Sequence, residues 1–256
     1  MQLFKIIDIA TDVEIDCEEA RYFVNSFGEL IRGDLFGSYG FRDDLKIKWN
    51  KEALKKLLGE LEDADYDSTT KKLEIFDLAV VDPPYGIGAG KGVGVTRGKE
   101  NQYTVKDWDS SIPEQTYWDE LWRVSKNQIV WGGNYMTDYL KPSRGWIYWR
   151  KMMGGNYADG ELAWTSFDRN LKEFTKRSDQ GNRFHPTQKP IKLYEWIFAN
   201  YAEDGNLILD THLGSQSSRI AANKAGLDFV GFEIDREYYD NGNTRFKNFV
   251  SQGVLF

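Results

Sequence analysis

The sequence is poor in residues that cross-link or coordinate. Its 256 residues include one cysteine, Cys17, and a single cysteine cannot close an internal disulfide. Two histidines, His185 and His212, complete a thin supply of soft ligands, so no metal site is expected. No apolar run approaches the roughly 18–20 residues needed to cross a bilayer. Met1 to Ala10 contains Lys5 and Asp8 and lacks the apolar stretch and small-residue cleavage site of a signal peptide. A reduced, metal-free, cytoplasmic protein without a membrane partner is the simplest expectation. Basic charge is also scarce. The net charge of −7 runs against a general phosphate-binding surface, so distribution has to carry any such argument. Met1 to Leu30 holds two basic residues against seven acidic ones, whereas Arg169 to Lys192 holds seven basic against two acidic. Charge alone would make that basic run a solvated loop or helix face.

What is present is the alternation of an α/β protein. Ile75–Val81, Gln128–Trp131, Trp146–Trp149, Leu207–Leu209 and Phe229–Phe232 are short apolar runs that read as buried parallel strands. Amphipathic stretches lie between them, notably Tyr117–Val124, Ile191–Tyr201 and Ser217–Ala225. The pattern predicts a Rossmann-like, doubly wound, mostly parallel sheet whose strands end on one ligand-binding edge. No repeat or low-complexity linker divides residues 1–256, so one domain is expected, with an irregular N-terminal segment at 1–72. Within that segment Lys51–Leu61 has helical spacing, and the polar stretch Glu62–Lys72 reads as a loop.

The run Phe76–Val81 leads into Asp82-Pro83-Pro84-Tyr85-Gly86. Two prolines stiffen the loop and remove two backbone donors, leaving carbonyls free to accept. Such a loop can hold an amino group between the Asp82 carboxylate and the Pro83 carbonyl, with Tyr85 offering a ring for stacking. An exocyclic amine on an aromatic base is a poor nucleophile, because its lone pair is delocalised. Two acceptors on its N–H bonds favour a tetrahedral nitrogen whose lone pair can meet a methyl donor. Taken alone, the tetrapeptide reads equally well as a strand-terminating turn.

The second half of the chain changes that balance. Leu207–Asp210 runs into Thr211-His212-Leu213-Gly214-Ser215-Gln216 and then a helix. This strand, small-residue turn and helix N-terminus present backbone N–H groups to a cofactor. Glu233 ends the next strand 23 residues after Asp210, close to the ~20-residue offset at which an acid grips ribose hydroxyls.

These blocks, in this order, resemble the amino-methyltransferases of DNA in their permuted, beta-class arrangement. The resemblance is carried by Asp82–Tyr85 ahead of Asp210–Ser218, by His185-Pro186-Thr187-Gln188-Lys189-Pro190, by Val130–Tyr135 and by Glu161–Ser166. It spans roughly Leu73 to Arg245 and looks most like compact phage and mobile-element members, some of which serve restriction-modification. It implies a transferase that moves a methyl group from S-adenosylmethionine to N6 of a flipped-out adenine, giving N6-methyladenine. Asp82, Pro83, Pro84 and Tyr85 would hold the base. Asp210, Thr211, His212, Leu213, Gly214 and Ser215 would wrap the methionine part of the cofactor, and Glu233 its ribose. Thr187 and Lys189 would reach its carboxylate, and Asp34 its adenine. His185 would be structural.

Two departures from the family pattern stand out. His212 replaces an aromatic and Gln216 replaces the last glycine of the cofactor loop, where a side chain could crowd the ligand; a residue in a helix's first turn need not have positive φ. Gly33-Asp34 lies further upstream than usual. Access to a paired base requires flipping. Lys91, Arg97 and Lys99 in a glycine-rich stretch would contact phosphates. Arg150, Lys151, Arg169, Lys172, Lys176 and Arg177, in a short insert around 150–185, would read the target. DNA is the expected partner, and a homodimer is an assembly common in the family. Cytosine-N4, adenine in RNA and a non-catalytic relative with a decayed cofactor loop remain as alternatives.

Overall fold

The computed structural model describes residues 23–25, 30–31, 74, 76–91, 106–152, 158–177 and 183–253. Cys17, Asp34, the Lys51–Leu61 helix, Arg97 and Lys99 lie outside these residues, and only the backbone of Lys91 lies within them. In chain order the elements are β1 (Phe23–Asn25), β2 (Leu30–Ile31), β3 (Phe76–Val81), α1 (Gln115–Val124), β4 (Ser125–Trp131), β5 (Trp146–Arg150), β6 (Gly160–Thr165), β7 (Lys172–Thr175), α2 (Ile191–Tyr201), β8 (Leu207–Asp210), α3 (Ser217–Ala225), β9 (Asp228–Phe232) and α4 (Arg236–Gly253).

The nine strands among the described residues join one sheet in the order β2-β1-β9-β8-β3-β4-β6-β5-β7. Its centre, β9-β8-β3-β4, is parallel. Alternate residues of the central strand β3 serve opposite faces. Leu78 and Val80 pack with Leu193, Ile197 and Phe198 of α2 and with Ala221 of α3. Ala79 and Val81 pack with Tyr117, Trp118 and Leu121 of α1. Both faces are therefore covered, as the near-continuous apolar strands required.

The flanks depart from the expected parallel pattern. The Trp146 strand is real, but β5 runs antiparallel to β6, and β6 runs antiparallel to β4. β7 then lies parallel to β5 at the sheet edge. Thus β6 and β7, within the expected recognition insert, are strands of the main sheet. The reversal also carries the middle of that insert to the opposite edge and returns both its ends to the edge where β3 and β4 end. Arg150 and Thr175 sit beside Gly160 at the edge where β3 and β4 end, while Lys172 pairs with Ile147 toward the other edge.

Helix α4 has no clear apolar period in the sequence, since Asn241, Gly242 and Asn243 interrupt it. It forms because Tyr238, Tyr239 and Phe246 are buried against the rest of the domain. No helix among the described residues is long and apolar enough to cross a membrane.

Candidate active site

Four parallel strands end along one edge, and a cavity of about 600 Å³ opens there. That volume suits a small-molecule ligand. Asp82, Pro84, Thr187, Gln188 and Lys189 line one part. Thr211, His212, Leu213, Gly214, Ser215 and Glu233 line another. Most of the described residues assigned from sequence to acceptor and cofactor therefore share one space, whereas Pro83, Tyr85 and Asp210 are not among its lining.

Asp82 leaves β3 as the strand gives way to the Pro83-Pro84 turn. Its Oδ1 accepts the Tyr85 hydroxyl at 2.7 Å, and its Oδ2 accepts the Lys189 ammonium. Tyr85 stacks on Tyr135 at 5.2 Å with an interplanar angle of 16°. The ring fits only because position 132 is glycine: a Cβ there would lie 2.1 Å from Tyr85, and φ is +67°.

Lys189 was expected at a cofactor carboxylate, but its buried ammonium is engaged by Asp82 and, at 3.2 Å, by Glu161. Glu161 also pairs with Lys151. It reaches the site because antiparallel β6 starts at the edge where β3 and β4 end. Burial raises Asp82 above the ordinary carboxylate range against the pull of Lys189. Glu161 is held low because its two lysines outweigh burial. Lys189 stays charged, since its two carboxylates overcome desolvation. Burial and the neighbouring Asp82 push Tyr85 well up, so its hydroxyl remains a donor.

On the other side, Asp210 takes the His212 N–H at 3.0 Å and the Ser218 hydroxyl at 2.5 Å. It is not among the cavity-lining residues; it shapes the loop from behind. Glu233 lines the cavity while accepting the Gly214 and Asp235 N–H groups at 2.7 and 2.8 Å. Burial raises both Asp210 and Glu233 to about 7. Thr211 bonds the Tyr117 hydroxyl at 2.7 Å and His212 Nδ1 at 2.8 Å. Burial lowers His212 and His185 to about 3. His185 lies against Trp108 and Tyr238, and a Cβ on Gly214 (φ +48°) would stand 3.3 Å from its Nε2. Packing and neutrality fit a structural histidine.

Gln216 corrects an expectation from the sequence. It caps α3 in the left-handed region with φ 58°, so the position does demand the conformation glycine favours. Its side chain, however, points away from the ligand space. It accepts from Arg219 at 2.7 Å and fills the gap left by Gly242, where a Cβ would lie 2.5 Å away. The loop bends around Gln216 without crowding the cavity.

The basic residues separate. Arg150 and Arg177 are exposed near the site edge, and Lys176 follows β7 there with its carbonyl accepting Trp149 Nε1 at 2.8 Å. Lys151 is committed to Glu161. Arg169 and Lys172 belong to the far edge, where Arg169 donates to the Asn200 carbonyl at 2.5 Å. The antiparallel turn of β5 and β6 puts them out of reach of the cavity. Sequence reading passed over Glu161 as an individual residue, Asp109 and Tyr117. Glu161 and Asp109 were visible only as acids beside a tryptophan-bearing run, a weak signal.

Asp82 and the glycine-bearing loop after Asp210 stand on adjacent parallel strands and flank one cavity, the arrangement of a Rossmann-like α/β fold with a ligand site at its carboxyl edge. Residues 130–244 match the N6/N4 methyltransferase family model, described as DNA methylase. Asp82–Tyr85 precede the matched segment. The chain is 25% identical over 217 residues to the type II methyltransferase M2.DpnII of Streptococcus pneumoniae, covering 65% of this chain and 81% of that one. It is 24% identical over 233 residues to M2.LlaDCHI of Lactococcus lactis subsp. cremoris, covering 72% and 86%. Among solved structures, the complex of M1.HpyAVI with SAM aligns with a TM-score of 0.44 at 17% identity, over 74% of this chain and 95% of that one.

Proposed function

We propose that the protein methylates the N6 amino group of a flipped-out adenine in DNA, with S-adenosylmethionine as donor. One observation carries the reading: Asp82 and Glu233 line the same cavity, at the ends of strands only two positions apart in the sheet. The residues present fit the cofactor. Glu233 keeps lone pairs for ribose hydroxyls beyond its two backbone bonds. Gly214 and Ser215 leave room beside His185, and buried acids suit a cationic ligand. When bound, S-adenosylmethionine supplies a methyl group on a sulfonium sulfur.

The chain's own residues do the rest. Asp82 already receives Tyr85 and Lys189, but a carboxylate has about four lone-pair sites, so it can also take a base N–H. That bond, with an acceptor from the Pro83-Pro84 backbone, draws the amine lone pair out of the ring and toward the methyl group. Thr211 to Ser215 and Glu233 would hold S-adenosylmethionine, which would supply the methyl group to that nitrogen, its sulfur keeping the electron pair of the bond it loses. The nitrogen then sheds one proton, and Asp82, lifted by burial, can receive it. Tyr85 offers its face for stacking once the base displaces Tyr135. Exposed Arg150 and Arg177 contact phosphates at the same edge; Lys91, Arg97 and Lys99 are assigned to phosphates from the sequence, their side chains lying outside the described residues.

Methyl transfer from labelled S-adenosylmethionine to unmethylated DNA, followed by nucleoside analysis, tests this. Label in N6-methyladenine that disappears with Asp82→Ala is the expected result. Label in N4-methylcytosine, or transfer only to RNA, would replace the substrate; no transfer to any of them would overturn the reading.

A further inference from the structure

The segment Lys106–Asp109 joins the two sides of the cavity, and it lies outside the blocks that carry the family likeness. At one end is Asp109, 2% exposed. Its Oδ1 accepts the N–H groups of Tyr85 at 2.6 Å and Gly86 at 2.9 Å, and its Oδ2 accepts Ala89 at 2.7 Å. Its backbone carbonyl takes the Gly88 N–H at 2.9 Å. Four amides of the acceptor loop thus rest on one residue. The prolines before them carry no N–H, so Asp109 supplies what strand pairing cannot.

At the other end, Lys106 Nζ bonds both Asp235 oxygens at 2.6 and 2.7 Å and Glu237 at 2.9 Å. It sits 4.1 Å above the Tyr238 ring. The Asp235 N–H in turn binds Glu233. Between the ends, Trp108 stacks on His185 at 5.5 Å. The backbones also touch: Lys106 N–H donates to the Gly90 carbonyl at 2.9 Å, and a Cβ on Gly90 would lie 2.5 Å from the Lys106 carbonyl.

We propose that Asp109 is the positioning residue of the acceptor loop, and that Lys106–Asp109 is a tether that sets Asp82 and Tyr85 at their working distance from the cofactor rim. Buried carboxylate–amide bonds fix the loop at one end, and the Lys106 clamp fixes the other to the residue beside Glu233. Neither side chain needs to touch a reactant. A misplacement of an ångström between reacting groups is enough to lower the rate by about a hundredfold.

The proposal rests on Asp82 being the acceptor, and its test separates the two ideas. Asp109→Asn keeps an oxygen for Tyr85 and Gly86 but turns a donor toward Ala89. Lys106→Met removes the clamp and retains bulk. Single-turnover methyl transfer, cofactor affinity by calorimetry and amide exchange at Tyr85, Gly86 and Ala89 are measured for wild type, both single variants and the double. Each single variant is expected to lower the transfer rate about tenfold, with cofactor affinity within about threefold. The double should lose clearly less than the product of the two, because both break one tether. Exchange at the three amides should quicken in both singles, including Lys106→Met, which leaves Asp109 intact. Unchanged rates, a multiplicative double, or loop exchange in Lys106→Met equal to wild type would overturn the tether. If wild type transfers no methyl group to any nucleic acid, the functional reading fails, and the exchange measurements alone still decide the tether.

Discussion

Each side of the cavity ends in buried carboxylates, but the two sides satisfy them differently. On the acceptor side Asp82 meets side chains, the Tyr85 hydroxyl and the Lys189 ammonium, which Glu161 and Lys151 anchor from a neighbouring strand. On the cofactor side Asp210 and Glu233 meet mainly backbone N–H groups, with the Ser218 hydroxyl as the side-chain donor. The fixed Lys189 ammonium opposes the burial that raises Asp82, so charge as well as hydrogen bonding holds this carboxylate. Backbone donors shape a loop but leave the buried acids near 7, so a ligand bringing positive charge and hydroxyl donors completes them.

The largest effect that would sharpen this contrast is Asp82→Ala. It should lower methyl transfer by about a thousandfold or more, from lost acceptor geometry, while cofactor affinity stays within a few-fold by calorimetry. Comparable loss of affinity would break the division of labour. Next is Lys189→Met, which leaves Asp82 and Glu161 facing one another without their shared cation. Removing one member of a buried ionic cluster costs about 3–5 kcal/mol, read in a denaturant melt; the double change with Glu161→Gln should recover part of it.

On the cofactor side the sign of the pH dependence follows from Glu233 and Asp210. Both have folded values near 7, above their unfolded values. The native state therefore holds protons that the unfolded chain has released. The stability they contribute is complete below about pH 4 and is lost as pH rises to about 7. A cofactor that needs ionised Glu233 should bind up to about tenfold more weakly for each pH unit below 7. Glu233→Gln should flatten that slope, and a pH-independent wild type would contradict the assignment.

A smaller effect separates the sheet's two edges. Arg150→Ala or Arg177→Ala should each reduce the magnitude of the salt slope of DNA binding by roughly 1, while Arg169→Ala and Lys172→Ala leave it unaltered. Smallest of all is Gln216→Gly, for which cofactor affinity should move by less than about twofold. The Gln216 side chain lies outside the cavity, and glycine accepts the same left-handed backbone.

Apolar spacing was enough to recover α2 and α3 with the bounds now observed, and β3, β8 and β9 to within a residue. Each buries a strong, regular pattern. Helix α4 was invisible because its aromatics work from within a polar, glycine-bearing run that only tertiary contact stabilises. The Asp82–Tyr85 tetrapeptide and the loop after Asp210 stood out for a different reason: strand, turn and acid are local, so their order along the chain brings them to one cavity edge. Asp109 and Glu161 were not legible, since each acts on residues that other elements deliver, 20 to 28 positions away in sequence. The same limit explains the basic run. Its charge was plain in the sequence, yet its division between two edges depends on β5 and β6 running antiparallel. The local sequence thus determined the class of fold and placed the Asp82–Tyr85 block and the turn after Asp210 at strand ends. Tertiary structure decided what holds them in register, because strand direction and side-chain pairing across the sheet are set by burial shared among distant segments.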